Sequence, residues 1–215
     1  MLFYKTFNKG KKIMSSSLYT KPLELLIATH NPGKTVEYRK LFSQTNIKLF
    51  FADDLNVPEP IEDGKSFEEN AIVKAKNAML HSGKVSLGED SGLVIDSLDG
   101  FPGIASGRWA KGVGGYDNAF KELEKKLSNK SPRCSFHACI AICYPNVQKP
   151  LLFTGDLMGQ ITFPAKGKNG FGYAPIFTAD GYDTSLAEIS NDLRLSINHR
   201  SISVAKLLKF WNIQH

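Results

Sequence analysis

Cysteine is scarce and badly placed for cross-linking. Cys134, Cys139 and Cys143 are the only three in 215 residues. All fall in one apolar run, so they make neither a disulfide framework nor a Cys-x-x-Cys metal pair. They read as buried free thiols in a reducing cytoplasm. Long apolar runs are missing as well. Nothing approaches the roughly 20 residues that span a bilayer, so the expectation is a soluble protein. No acid precedes Glu24 and no arginine precedes Arg39. Residues 1–22, with Lys5, Lys9, Lys11, Lys12 and Lys21, therefore read as a disordered basic tail, with Met14 as an alternative start. The tail has neither the apolar core of a signal peptide nor the arginines of a transit peptide. It carries part of the net charge of +6, so the basic balance favours an anionic partner without identifying one. No repeat or linker follows, which leaves 23–215 as one domain.

What is present patterns as helices and strands in mixed order. Leu23 to Ala28 is a compact apolar strand. The turn cluster Thr29-His30-Asn31-Pro32-Gly33 then leads into a helix with Tyr38, Leu41 and Phe42 on one face. Ser66-Phe67-Glu68-Glu69 has capping-box form and opens a helix to about His81, stopped by Gly83. Val85 to Leu87 and Leu93 to Ile95 read as short strands on either side of a loop, Gly88-Glu89-Asp90-Ser91-Gly92. Tyr116 to Leu127 is helical, Ser135 to Tyr144 and Leu151 to Ile161 form an antiparallel hairpin, and a last helix runs from Asn191 towards Trp211. This order predicts an α/β or α+β body around a mixed sheet.

Four stretches carry chemistry. Thr29-His30-Asn31-Pro32-Gly33-Lys34 lies between a strand and a helix, where outward N–H groups, Asn31 and Lys34 can cradle phosphate oxygens. It lacks Walker A spacing, and taken alone it is better explained by an ordinary helix-initiating turn. Glu69, Glu89 and Asp90 are oxygen ligands of the kind Mg²⁺ shares with substrate phosphates, although Glu69 also reads as the capping partner of Ser66. In Lys166-Gly167-Lys168-Asn169-Gly170-Phe171-Gly172-Tyr173 the glycines allow close backbone approach, and Phe171 offers a ring for stacking on a base. Asn198-His199-Arg200 sits in the last helix. Arginine carries only donors, so Arg200 facing C6 of a purine favours a carbonyl over an amino group, by roughly 1–3 kcal/mol.

In this order and spacing the four stretches resemble the inosine/xanthosine triphosphate pyrophosphatase family. The matching residues are Thr29-x-Asn31-x-x-Lys34, Glu69-Asn70-Ala71 with Lys74-Ala75, and Glu89-Asp90-Ser91-Gly92-Leu93. Pro102-Gly103-Ile104, Gly170-Phe171-Gly172-Tyr173 with Pro175-Ile176-Phe177, and His199-Arg200 complete the set. The resemblance implies an elongated α/β fold of two lobes around a mixed twisted sheet, with a cleft between them, and usually a homodimer. It also implies Mg²⁺-dependent cleavage between the α and β phosphates of non-standard purine triphosphates. The implied partner is that triphosphate, not a nucleic acid or a membrane. Carried over, Thr29, Asn31, Lys34 and Ser91 hold the substrate and Glu69 helps place Mg²⁺. Asp90 binds metal or activates water, with Glu89 beside it. Phe171, Gly172 and Tyr173 form the base platform, and Arg194, His199 and Arg200 read the base.

Three positions depart from the family pattern. Ala174 stands where an aspartate is usual, Asn198 where a serine is, and Arg194 where a lysine is. All fall in base-contacting stretches, so hydrolysis with relaxed or shifted base selectivity is expected. The related Maf-like pyrophosphatases are the competing enzyme reading, against which His199-Arg200 and the Gly170–Tyr173 loop argue. A catalytically impaired nucleotide-binding module is the competing reading from another class.

Overall fold

The computed structural model describes residues 19–213. The apolar run becomes strand β1 (Glu24–Ala28), and Pro32 opens helix α1 (Pro32–Leu41). The Asn31 side-chain oxygen fixes that start by accepting from the N–H groups of Gly33 (2.9 Å) and Lys34 (3.2 Å). Proline at the first helical position gives up no hydrogen bond. Strand β2 (Lys48–Phe51) follows, then α2 (Phe67–Ser82), which ends at Gly83 in the left-handed conformation (φ 68°). Next come β3 (Ser86–Ile95), α3 (Ser106–Gly112) and α4 (Tyr116–Leu127), which buries Ala119, Phe120, Leu123 and Leu127 along one face. The hairpin β4 (Arg133–Cys143) and β5 (Leu151–Ile161), then β6 (Phe177–Ala179), α5 (Asn191–Ile197) and α6 (His199–Phe210), complete the chain.

The strands form one mixed sheet in the order β2-β1-β3-β4-β5-β6. β1 runs parallel to β2 and β3, and the remaining pairs are antiparallel. Two large apolar clusters are built on it. One gathers Leu93, Ile95, Leu123, Phe136 and Phe177; the other gathers Leu25, Ile27, Tyr38, Ile140, Val204 and Leu207. The mixed α/β sheet with two cores matches the expected architecture. The three cysteines are free and buried. Burial pushes the thiols of Cys134 and Cys139 up to about 12 and that of Cys143 up to about 11.

Three expectations are corrected. Residues 88–92 are not a loop between two strands; they are the middle of β3, paired throughout with β4. The two glycines serve close packing instead of a turn. A Cβ on Gly88 would lie 2.3 Å from the Ala71 carbonyl of α2, and one on Gly92 would lie 2.2 Å from the Gly103 carbonyl. The last helix is not continuous. Asn198 takes an extended conformation (ψ 162°) and caps α6 through its side-chain oxygen, so His199 and Arg200 open a helix instead of sitting inside one. Finally, most of the basic tail lies outside the described residues. Tyr19, however, is buried edge-on against Tyr144 and donates to the Lys149 carbonyl (3.1 Å), so the packed body begins upstream of residue 23.

Candidate active site

β1 accompanies β3 only as far as the pair Ala28–Gly88. Beyond it the chain turns away into α1, and the flank of β3 that β1 leaves is open. A cleft of about 850 Å³ occupies that space, floored by residues 89–93 and walled by α1, residues 57–62, α3 and residues 171–174. It therefore sits at the carboxyl ends of the parallel strands, the edge at which α/β sheets bind ligands.

Glu89 and Asp90 are neighbours on a strand, so their side chains leave by opposite faces. Asp90 points to α2, accepting from the Asn70 side-chain nitrogen (3.1 Å) and Lys74 Nζ (3.0 Å). Lys74 also reaches Glu62 (2.9 Å), which in turn holds Arg108 of α3 (2.9 Å). Glu89 points to α1 and α6. It accepts from the Tyr38 hydroxyl (2.6 Å) and, through both oxygens, from Arg200 Nε (2.6 Å) and Nη2 (2.7 Å). Lys34 Nζ lies 3.3 Å from the same carboxylate. Arg200 Nη1 donates to Glu37, which also accepts from Arg194 Nη1 (2.6 Å) and the Asn198 side-chain nitrogen (3.3 Å). Two alternating ionic chains thus line the cleft, Arg108–Glu62–Lys74–Asp90 on one face of β3 and Lys34–Glu89–Arg200–Glu37–Arg194 on the other.

Burial alone would push the Glu89 carboxyl up, but Arg200 and Lys34 outweigh it and hold it well below its ordinary value. Burial likewise weakens the Lys74 ammonium, yet Asp90 and Glu62 win and raise it. For Lys34 burial wins, with repulsion from Arg200 added, and its ammonium is held below its ordinary value despite Glu89. Lys34 is therefore short of counter-charge, a deficit that an incoming anion relieves.

The ring-bearing side of the cleft is assembled from α6 and the glycine-rich loop. Phe171 is 39% exposed, with Arg200 Cζ 5.9 Å from its centroid. The His199 imidazole stacks on Phe136 (5.0 Å, 19°), and its Nδ1 is buried without a partner. Burial, followed by repulsion from Arg200, holds His199 well below its ordinary value of 6.5. Its neutral form belongs to the fold, whereas an unfolded chain takes up the proton near 6.5. The stability it contributes is complete above that pH and is lost as the pH falls below it, at about 1.4 kcal/mol per unit. His199→Gln should remove this component. Urea midpoints at pH 7.5 and pH 5.5 should then differ less in the variant than in the parent, and an equal drop in both would refute the assignment.

Thr29, Asn31, Lys34, Glu89, Asp90 and Ser91 all line the cleft, as do Phe171, Gly172 and Tyr173, and Arg194, His199 and Arg200. Their expected roles need revision in four places. Glu69 is not in the cleft. It is exposed on α2, its N–H bonded to Ser66 Oγ (3.2 Å) and its carboxylate accepting from the Lys65 N–H (2.7 Å), so it is a capping residue. The N–H groups of Gly33 and Lys34 do not point out for phosphate, because Asn31 already caps them. Arg200 is not a free base reader; most of its donors hold Glu89 and Glu37. Tyr173 is buried and donates to the Ser106 carbonyl (2.8 Å), which makes it wall instead of platform. Sequence reasoning missed Glu37, Tyr38, Glu62 and Arg108, and quoted Asn70 and Lys74 without giving either a role. For the last two the signal was available: α2 turns its buried Ala71, Ala75 and Ala78 to the sheet, and positions 70 and 74 flank that stripe one turn apart.

Fold and cleft together define an α/β protein with a charged groove at the carboxyl edge of parallel strands. The chain belongs to the Ham1 family, whose profile matches residues 25–210. It is 39% identical over 191 residues to a dITP/XTP pyrophosphatase of Zymomonas mobilis, covering 87% of this chain and 91% of the relative. A dITP/XTP pyrophosphatase of Streptococcus pneumoniae is also 39% identical over 191 residues, with 86% and 94% covered. Among solved structures, a HAM1 protein from Coxiella burnetii superposes with a TM-score of 0.82 at 32% identity, covering 89% of this chain and 99% of the other. Among the described residues, no helix is long and apolar enough to cross a membrane.

Proposed function

We propose that this protein hydrolyses non-standard purine nucleoside triphosphates, with dITP, XTP and ITP as substrates, to the nucleoside monophosphate and pyrophosphate. One observation carries the reading: Lys34, Lys74 and Asp90 share a single cleft with Phe171 and His199, so one ligand can offer both a polyanion and a heterocycle to it. The relatives named dITP/XTP pyrophosphatases supply the class of that ligand.

In this reading Lys34 and Lys74 offset the charge of the phosphate chain. Asp90, steadied by Asn70 and Lys74, orients the attacking water and accepts its proton. Phe171 stacks on the base. His199 Nδ1, buried and unpartnered, meets a polar edge of the purine, and the donors left on Arg200 favour a 6-oxo group. No covalent intermediate is needed, and the cysteines take no part.

Among the described residues no cluster of three or more His, Cys, Asp or Glu could hold a metal ion. That donor set does not fit a closed metal cage, but it fits Mg²⁺ shared with phosphates, which needs one or two carboxylates. Asp90 and Glu62 meet this requirement: both line the cleft, and both grip the same cation, Lys74 Nζ, at 3.0 and 2.9 Å. Mg²⁺ held there adds charge neutralisation and Lewis-acid polarisation of the scissile phosphate. A cytoplasmic homodimer in which one catalytic domain follows a basic tail completes the proposal.

The three departures bear on selectivity. Ala174 leaves no carboxylate at its place in the wall, while Arg194 and Asn198 both hold Glu37. Weaker discrimination among 6-oxo purines is the expected result. The test is pyrophosphate release from ITP, XTP, dITP, GTP and ATP, with and without Mg²⁺. Release should require the metal and be slowest for ATP. No release from any triphosphate sinks the function, undiminished release in EDTA sinks the metal, and strict ITP/XTP preference sinks the relaxed selectivity.

A further inference from the structure

Gly33 sits in the first turn of α1 between Asn31 and Lys34, outside the left-handed backbone region, so no turn demands glycine there. The demand comes from an approaching ring. A Cβ at this position would lie 2.7 Å from Phe171 Cδ1 and 2.8 Å from Cε1, closer than Cβ atoms come to anything. Phe171 reaches α1 from a loop in which Gly167, Gly170 and Gly172 all have positive φ. Its ring also forms a partition, lining both the large cleft and a smaller cavity of about 360 Å³ bordered by Val36, Lys40 and Lys168.

We infer that Gly33 is a positioning residue for substrate: its missing side chain seats the Phe171 ring on the turn that carries Lys34, fixing the span between the stacking surface and the phosphate-binding amine. This rests on the proposed triphosphate chemistry and adds a determinant of base affinity to it. Gly33 touches no substrate in this scheme; a Cβ there presses hardest on the ring and less closely, at 3.2 Å, on the Asn31 Oδ1 that caps α1.

The test is a double-mutant cycle of Gly33→Ala and Phe171→Ala, read by ITP kinetics and by hydrogen exchange of residues 166–173. Gly33→Ala should raise KM roughly tenfold, the scale of one lost base-stacking contact, with kcat little changed. It should add nothing further in the Phe171→Ala background, and it should speed exchange in the loop. An unchanged KM, or an equal rise in both backgrounds, overturns the inference, since a defect in helix packing would persist without the ring. Wild-type protein that releases no pyrophosphate would instead refute the functional reading. In that case loop exchange unaltered by Gly33→Ala still overturns the seat itself.

Discussion

Arg200→Met is expected to cost about 3–5 kcal/mol of folding stability, the range for removing one partner from a buried ionic group. The side chain is 2% exposed and is the counter-charge of two carboxylates that are themselves 4% exposed, Glu37 and Glu89. Methionine fills much of the volume, so the loss measures orphaned charge more than a cavity. Glu37 keeps Arg194 and Asn198, and Glu89 keeps Tyr38 and Lys34. These partners hold the effect inside that range. In urea, with a slope of about 1–3 kcal/mol per molar for a domain of this kind, the midpoint should fall by at least 1 M, roughly. Adding Glu89→Gln should recover part of it by removing one orphaned charge, which a lost packing contact could not do. If Arg200→Met unfolds at the parent's midpoint and only KM for purine triphosphates rises, the residue is a base reader and the structural role given to it here is wrong.

That prediction was out of reach of the sequence, and the reason is specific. Glu37 is a charged residue beside the apolar face of Tyr38, Leu41 and Phe42 with no local signal that it is buried, and it is buried because Arg194 and Arg200 arrive from 157 and 163 residues away. No local pattern encodes a pairing of that range. The glycines around Glu89 and Asp90 misled for another reason. Gly88 and Gly92 look like loop punctuation, but α2 and residue 103 press so close to β3 that only glycine fits there. Where a rule depended on a few neighbouring residues it held: Ser66 caps, Gly83 stops α2, and Tyr116 to Leu127 is the helix that its apolar spacing predicts. Glu69 lay on the border between the two kinds. Its capping pattern and its motif gave different answers, and the three-residue geometry of the cap prevailed. Asn198 could have been read as a cap, since Ser201 follows at the distance its side chain bridges, and with it the break between α5 and α6.

Asp90→Asn separates chemistry from folding most sharply. The substitution keeps shape and removes charge. Asp90 now accepts from Lys74 through one oxygen and from Asn70 through the other. An asparagine can face only one of those donors with oxygen, and Asn70 cannot simply turn round, because its own oxygen accepts from the Gly64 N–H (3.0 Å). One donor is left opposed to a donor, a cost of about 1–3 kcal/mol, which an intact sheet tolerates. Turnover should fall much further. A positioned carboxylate acting as base contributes on the order of 10²–10⁴ in rate, and a lost share in holding Mg²⁺ adds to it, so kcat for ITP should drop by roughly 10³ or more. Lys34→Ala should reduce kcat/KM strongly too, with less harm to the fold, because Arg200 already satisfies the Glu89 carboxylate that Lys34 neighbours. Parallel pyrophosphate-release assays and urea curves on both variants measure the two quantities independently. Near-normal turnover in Asp90→Asn would remove Asp90 from the chemistry. The Asp90–Lys74–Glu62 contact would then be a clasp between α2 and the cleft wall, and the search for the activating carboxylate would move to Glu59, which lines the same cleft.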